Sequence, residues 1–182
     1  MLAAIALVAA TLAAASPVAA PSDAEVRAHV EALLGAIDTP IPPARWRALG
    51  PAAAPALAAL AASEDQMPST RSKALAALGA VDAGEAERIS RVLVDAPDAP
   101  LTVRQTAVRT LGHVLAPARL RAALAPVLRA ALPVGLRAVA AEALARHAGQ
   151  DACAEVMDQV SLEPAADHPR FERAAALCAG RR

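Results

Sequence analysis

From Ser22 onward the apolar positions recur at helical spacing, in blocks separated by Pro, Gly and Asp. The stretch SDAE, Ser22 to Glu25, has the form of a capping box, a Ser N-cap with Glu three residues on, and predicts a helix to about Gly35. DTPIPP, Asp38 to Pro43, breaks the chain, and a short helix around Trp46 ends at Gly50. Further helices are predicted near 51–62, 69–80, 84–95, 101–115, 117–131, 134–147, 151–160 and 168–179. The intervening SEDQMP, VDAG, DAPDAP, AP, LP, AGQ and SLEPAADHP carry turn and cap residues where helices should stop and start. Most are short, so neighbouring helices should pack antiparallel. Val and Ile are scattered without runs of period two, so no sheet is predicted.

Part of this pattern repeats. Arg71, Arg104, Arg137 and Arg170 stand 33 residues apart, and Leu78, Leu111, Leu144 and Leu177 keep the same step. TRSKALAALG, VRQTAVRTLG, LRAVAAEALA and PRFERAAALC therefore align, each as the second helix of a hairpin. In the clearest copy Val103, Ala107, Leu111 and Val114 form one apolar stripe, with Gln105 and Arg109 off it. One hairpin cannot bury both of its faces. Hairpins stacked at a constant step can, which is the logic of a solenoid.

The repeated unit has an acidic residue in the turn, then Val/Leu-Arg, Ala and Leu-Gly. It resembles the HEAT repeat family in its short bacterial variants. The resemblance covers about 51–180 and implies an all-α fold, a short right-handed α-solenoid of about five antiparallel hairpins. Residues 51–182 would form the repeats and 21–50 a divergent capping hairpin. It also implies a structural ladder of Asp65 with Arg71 and Asp98 with Arg104, continued by Arg137 and Arg170. The pattern decays there: Ala131 and Pro164 occupy the Asp positions, and Ala145 and Cys178 replace the Gly. The TPLH motif of ankyrin, which shares the period, is missing. In a HEAT-like stack the second helices line a concave binding face, whose outward positions include Ser72, Lys73, Gln105, Arg109, Glu142 and Arg146. Gln105, Arg109, Glu142 and Arg146 are the expected partner-binding residues.

Composition narrows the core. The chain of 182 residues is 56% apolar but 1% aromatic, so Ala and Leu must fill the interior through many small contacts. Residues 1–20, MLAAIALVAATLAAASPVAA, carry no charge and read as a secretory signal peptide with small residues at its end. A retained membrane anchor is the rival, since about 20 apolar residues span a bilayer. The expected compartment is periplasmic or secreted, or membrane-anchored through 1–20.

The formal charge is zero, but unevenly built. Residues 21–100 hold eleven acids and seven bases, 101–150 hold seven Arg against Glu142, and the last 32 residues hold six acids and four bases. An electropositive middle band is expected, suited to an acidic protein segment or an anionic glycan. Nucleic acid is not expected, given the overall balance and the lack of stacking aromatics. No nucleophile elbow or phosphate loop is present, and neither an enzyme nor a cofactor is expected. His113 and His147 fall at nearly equivalent repeat positions, but no spacing demands a metal at them or at Glu142 and Cys153. Cys153 and Cys178 are the only cysteines. Their numbers place them at one height on the two helices of the last hairpin, so a disulfide is expected in an oxidising compartment. The expected role is non-enzymatic protein binding or scaffolding at the cell envelope. The rivals are a structural accessory or cap of a larger envelope assembly, and an accessory domain of an enzyme.

Overall fold

The computed structural model describes residues 22–36 and 41–180. Residues 1–20, the expected signal peptide, lie outside the described residues. Among these there are ten α-helices and no strand: α1 Asp23–Leu34, α2 Pro43–Ala48, α3 Ala54–Ala62, α4 Pro68–Val81, α5 Ala83–Asp95, α6 Leu101–Val114, α7 Pro117–Arg129, α8 Val134–His147, α9 Gln150–Leu162 and α10 His168–Ala179. The last helix of the middle block ends two residues early and α9 runs two residues long; otherwise the sequence-derived bounds agree to within about a turn. No described helix is long and apolar enough to cross a membrane.

Consecutive helices pack as hairpins, α3 on α4, α5 on α6, α7 on α8 and α9 on α10. The second helices also pack in succession, α2 on α4, α4 on α6, α6 on α8 and α8 on α10. The first helices follow more loosely, α1 on α3, α3 on α5 and α7 on α9. Most of the fully buried large side chains are Leu, among them Leu57, Leu75, Leu78, Leu111, Leu120, Leu124, Leu128, Leu136 and Leu144. These leucines lie on α3, α4, α6, α7 and α8; Ile89 and Leu93 of α5, Val156 of α9 and Phe171 of α10 extend the same core. The Leu-Gly step has a local cause. A Cβ on Gly79 would lie 3.3 Å from the Thr110 methyl, and one on Gly112 3.3 Å from the His147 ring and 3.4 Å from the Ala143 methyl. Glycine thus lets α4 approach α6, and α6 approach α8.

The breaks work differently from the expectation that cap residues fill them. Only α1 and α5 have a side-chain N-cap, Ser22 with the full capping box and Asp82 accepting from the Glu85 N–H at 3.0 Å. Elsewhere, α9 after Gly149 excepted, proline stands at or near the start. Pro68 and Pro117 open α4 and α7, while Pro100 and Pro133 stand immediately before α6 and α8. A first-turn N–H has no intrahelical acceptor, so a proline there loses nothing and pre-sets φ.

The Asp–Arg ladder is corrected. No ion pair joins Asp65 to Arg71 or Asp98 to Arg104; both acids are exposed. The arginines turn instead to the ends of the preceding helices. Buried Arg71 donates from Nε to the Ala61 carbonyl at 3.3 Å, and buried Arg104 donates from Nε and Nη2 to the Val94 carbonyl at 3.2 and 2.9 Å. Each guanidinium covers carbonyls that lack an i+4 donor and sits at the negative end of the helix dipole. Arg137 donates to the Leu132 carbonyl at 3.2 Å and pairs with the nearly inaccessible Glu163 carboxylate, which also accepts from Gln159 at 3.2 Å. Arg170 leaves the ladder: it is exposed, 3.8 Å from Asp167, and His168 takes its place with Nε2 2.9 Å from the Glu163 carbonyl.

Cys153 and Cys178 join α9 to α10, with Cα atoms 5.3 Å apart and sulfurs in bonding contact. The equal-height reading of the two positions is therefore right. A 3₁₀ turn, Ala165–Asp167, lies between the two helices, and the bridge ties their far ends.

Candidate functional site

Three adjoining cavities cross the row of second helices. The first, about 400 Å³, lies between α1, α2 and α4 and is walled by Leu33, Leu34, Ile41, Trp46, Ala76 and Ala80. The second, about 590 Å³, shares Pro43, Lys73, Ala76 and Ala80 with it and reaches Ser72, Thr106, Thr110, Arg109 and His113 on α4 and α6. The third, about 280 Å³, shares Arg109 and His113 with the second and continues over Glu142, Arg146, His147 and Arg173. The shared walls make one groove that changes character along its length.

That change is written in the repeat. Positions one turn apart on each second helix face the groove, and on the step of 33 they read Ala76 and Ala80, then Arg109 and His113, then Glu142 and Arg146. Residues i and i+4 lie on one helix face, so a swap at two positions per repeat converts an apolar wall into a charged one. At the charged end Glu142 accepts from Arg146 at 2.8 Å and stands 3.6 Å from the Arg173 Nε. One carboxylate thus gathers guanidinium groups from α8 and α10. Arg109, opposite on α6, is exposed and has no hydrogen bond or ion pair. The His113 and His147 rings meet edge to face with centroids 5.0 Å apart. The exposed Arg109 guanidinium is of a kind that binds carboxylate or phosphate oxygens, two at a time.

Of the expected partner-binding residues, the structure brings Arg109, Glu142 and Arg146 together and removes Gln105. Its Nε2 donates to the Gly135 carbonyl at 3.0 Å, tying α6 to the start of α8, so Gln105 is an internal strut. Lys73 is partly committed too, donating from Nζ to the Leu34 and Ala36 carbonyls at 3.1 and 3.0 Å and so capping α1. Ser72 lines the middle cavity, and its Oγ is buried without a partner.

The electropositive band is also corrected. Arg119 pairs with Glu87 of α5 at 2.7 Å, and Arg121 and Arg129 both pair with Glu155 of α9, at 3.1 and 2.6 Å. Arg137 pairs with Glu163, and Arg104 is buried against a carbonyl. The acidic flanks fold back onto the basic middle, because adjacent hairpins set residues about one repeat apart side by side. What remains of the band is concentrated in the groove.

Sequence reasoning missed Arg173, Glu163 and the apolar cavity. Arg173 continues the register of Ala74, Ala107 and Ala140, which are buried, whereas Arg173 is exposed. The lone Trp46 was the available signal for the cavity. Among the described residues no three His, Cys, Asp or Glu side chains converge as metal ligands. No family model, curated protein or solved structure matches the chain.

Proposed function

We propose that the chain is a HEAT-like repeat protein, a short right-handed α-solenoid of five hairpins that binds protein partners without catalysis at the cell envelope. The single observation that carries this reading is the groove. It crosses successive second helices, changes chemistry from repeat to repeat, and gathers Arg109, Arg146 and Arg173 at one end. Extended faces of this kind are what stacked repeats offer a partner. The apolar, uncharged residues 1–20 support export, followed by cleavage between Ser16 and Asp23. The partner is then a protein segment of acidic character, with an anionic glycan as the competing ligand of like charge.

A second reading, a structural accessory or cap of a larger envelope assembly, is favoured by the helix-to-helix turns. Met67 is 70% exposed and Leu162 77% exposed, both beside a first-to-second-helix turn, where packing against a neighbour would cover them. Crosslinking pulldown from the envelope fraction separates the two. On the first reading the Arg109→Glu, Arg146→Glu double variant loses partners that the parent chain captures. Capture that is unchanged by the double variant, but lost on Met67→Glu and Leu162→Glu, defeats the first reading and supports the second.

A further inference from the structure

Ala76 and Ala80 stand where the next two copies hold Arg109 and His113, then Glu142 and Arg146. The space that longer side chains would fill is left open, and the two alanines form a shared wall between two cavities, of about 400 Å³ and about 590 Å³. Trp46, 6% exposed and the only Trp, lines the first with Leu33, Leu34 and Ile41. Its walls are hydrocarbon, and the Leu34 and Ala36 carbonyls beside it already accept from the Lys73 Nζ at 3.1 and 3.0 Å. A peptide would bring one N–H and one C=O per residue into this space, each costly to bury without a partner. A hydrocarbon chain brings neither.

The second cavity has a different character. It carries Arg47, Lys73 and Arg109, from α2, α4 and α6, and among the described residues no carboxylate lines it. Arg47 and Arg109 are exposed and make no ion pair with any described residue. Lys73 has three N–H donors and commits two to the carbonyls at the end of α1, so one remains. The Ser72 Oγ, on the same wall, is buried without a hydrogen-bond partner. One ammonium N–H and one hydroxyl thus stand unused in a cavity that two guanidinium groups border.

We propose that the two cavities together bind a single-chain fatty acid, its tail beside Trp46 and its carboxylate in the second cavity, against Lys73 and Ser72 and in the field of Arg47 and Arg109. This goes beyond the protein-binding reading and does not depend on it. Two unused donors match the two oxygens of one carboxylate. A phosphate head would add a third oxygen with no unused donor of its own. From the α2–α4 contact to the α4–α6 contact is one interhelical step, roughly 8–10 Å, so a medium-length acyl chain keeps tail and head each in its own surroundings. Cavities of several hundred Å³ bury most of the surface of a ligand of this size.

Decanoate, titrated into the full oxidised chain below its critical micelle concentration, should shift Trp46 emission saturably, and calorimetry should find one site. Decanol should bind at least about tenfold more weakly. The Arg47→Gln, Arg109→Gln double variant should weaken decanoate by at least about tenfold and leave decanol unchanged. Ala76→Phe should weaken both ligands by filling the shared wall. All three positions are exposed, and circular dichroism of each variant checks the fold. No saturable response to decanoate overturns the proposal. So does equal binding of decanoate and decanol that ignores the arginine double variant, which would mark an apolar site alone. Decyl phosphate that binds more tightly than decanoate overturns the carboxylate assignment. Saturation of the Trp46 response by an acidic peptide, with decanoate inert, overturns the proposal in favour of a protein segment.

Discussion

Replacing Arg104 by Met tests whether the arginine row is held by backbone carbonyls. Methionine keeps most of the apolar stem that packs between α5 and α6 and removes the guanidinium. The substitution deletes two hydrogen bonds to the Val94 carbonyl, at 3.2 and 2.9 Å, and leaves that acceptor buried near the end of α5. A hydrogen bond from a charged donor contributes about 1.5–3 kcal/mol, and an orphaned buried acceptor costs about 1–3 kcal/mol. The removed charge returns part of its desolvation cost. A net loss of about 1–3 kcal/mol is expected, or roughly 2–12 °C in Tm for a chain of this length. Asp98→Ala should stay within about 0.5 kcal/mol, because Asp98 is exposed and touches no arginine. Urea unfolding followed by circular dichroism reads both, with the m-value checked for loss of two-state behaviour. Arg104→Met neutral, or Asp98→Ala as costly as Arg104→Met, would refute the carbonyl-capping account and restore an Asp–Arg ladder.

Glu163→Gln should destabilise the chain by about 3 kcal/mol, since it strands Arg137 beside a buried site, and the loss should shrink in an Arg137→Met background; a double-mutant urea cycle measures the coupling. Gly149 has φ +86°, ψ −174°, with open space where a Cβ would be, so Gly149→Ala should cost about 1–3 kcal/mol of backbone strain alone, read as a Tm decrease. Reduction of Cys153–Cys178, which are 25 residues apart, should lower stability by about 3 kcal/mol, and thiol titration of unreduced protein should find no free thiol. The Ser22 backbone N–H, then its hydroxyl, hold the Glu25 carboxyl below its ordinary range, so the capping box stabilises α1 above that range and loses its contribution as pH falls through the lowered value. Hydrogen exchange should show the first turn of α1 opening in acid before α5, and α1 protection that is unchanged to well below the ordinary carboxylate range would contradict this.

The helices were legible because their signals are local. A capping box, prolines at helix starts and leucines at helical spacing each act within one or two turns. The Cys153–Cys178 contact was legible for the same reason, since an antiparallel hairpin fixes which residues stand level. The partners of the arginines were not. Sequence spacing sets Asp98 six residues before Arg104, but the competing acceptor, the Val94 carbonyl, is a backbone group that every sequence possesses. Residue types cannot reveal that a helix end is closer than a side chain. Gln105 failed in a related way, since its position off the apolar stripe was read as outward, whereas α8 starts there and offers the Gly135 carbonyl.

Charge was misread at one scale and useful at another. Counted along the chain, residues 101–150 form a basic block, but the stack folds acids from about one repeat away onto it, so Glu87, Glu155 and Glu163 neutralise Arg119, Arg121, Arg129 and Arg137. The exposed pairs to Glu87 and Glu155 contribute little to stability, about 0–1 kcal/mol each, unlike the buried pair of Arg137 with Glu163, yet all of them decide where the field remains. Counted instead at the two groove-facing positions of each second helix, the same sequence reads apolar, then basic, then mixed. That count keeps neighbours in space together, and it locates Arg109 and Arg146 at the groove, beside Arg173 of α10. In a stacked-hairpin protein, then, the repeat register is the ruler for electrostatics. A linear window mixes outer-row arginines that pair with acids of neighbouring hairpins with the arginines that line the groove.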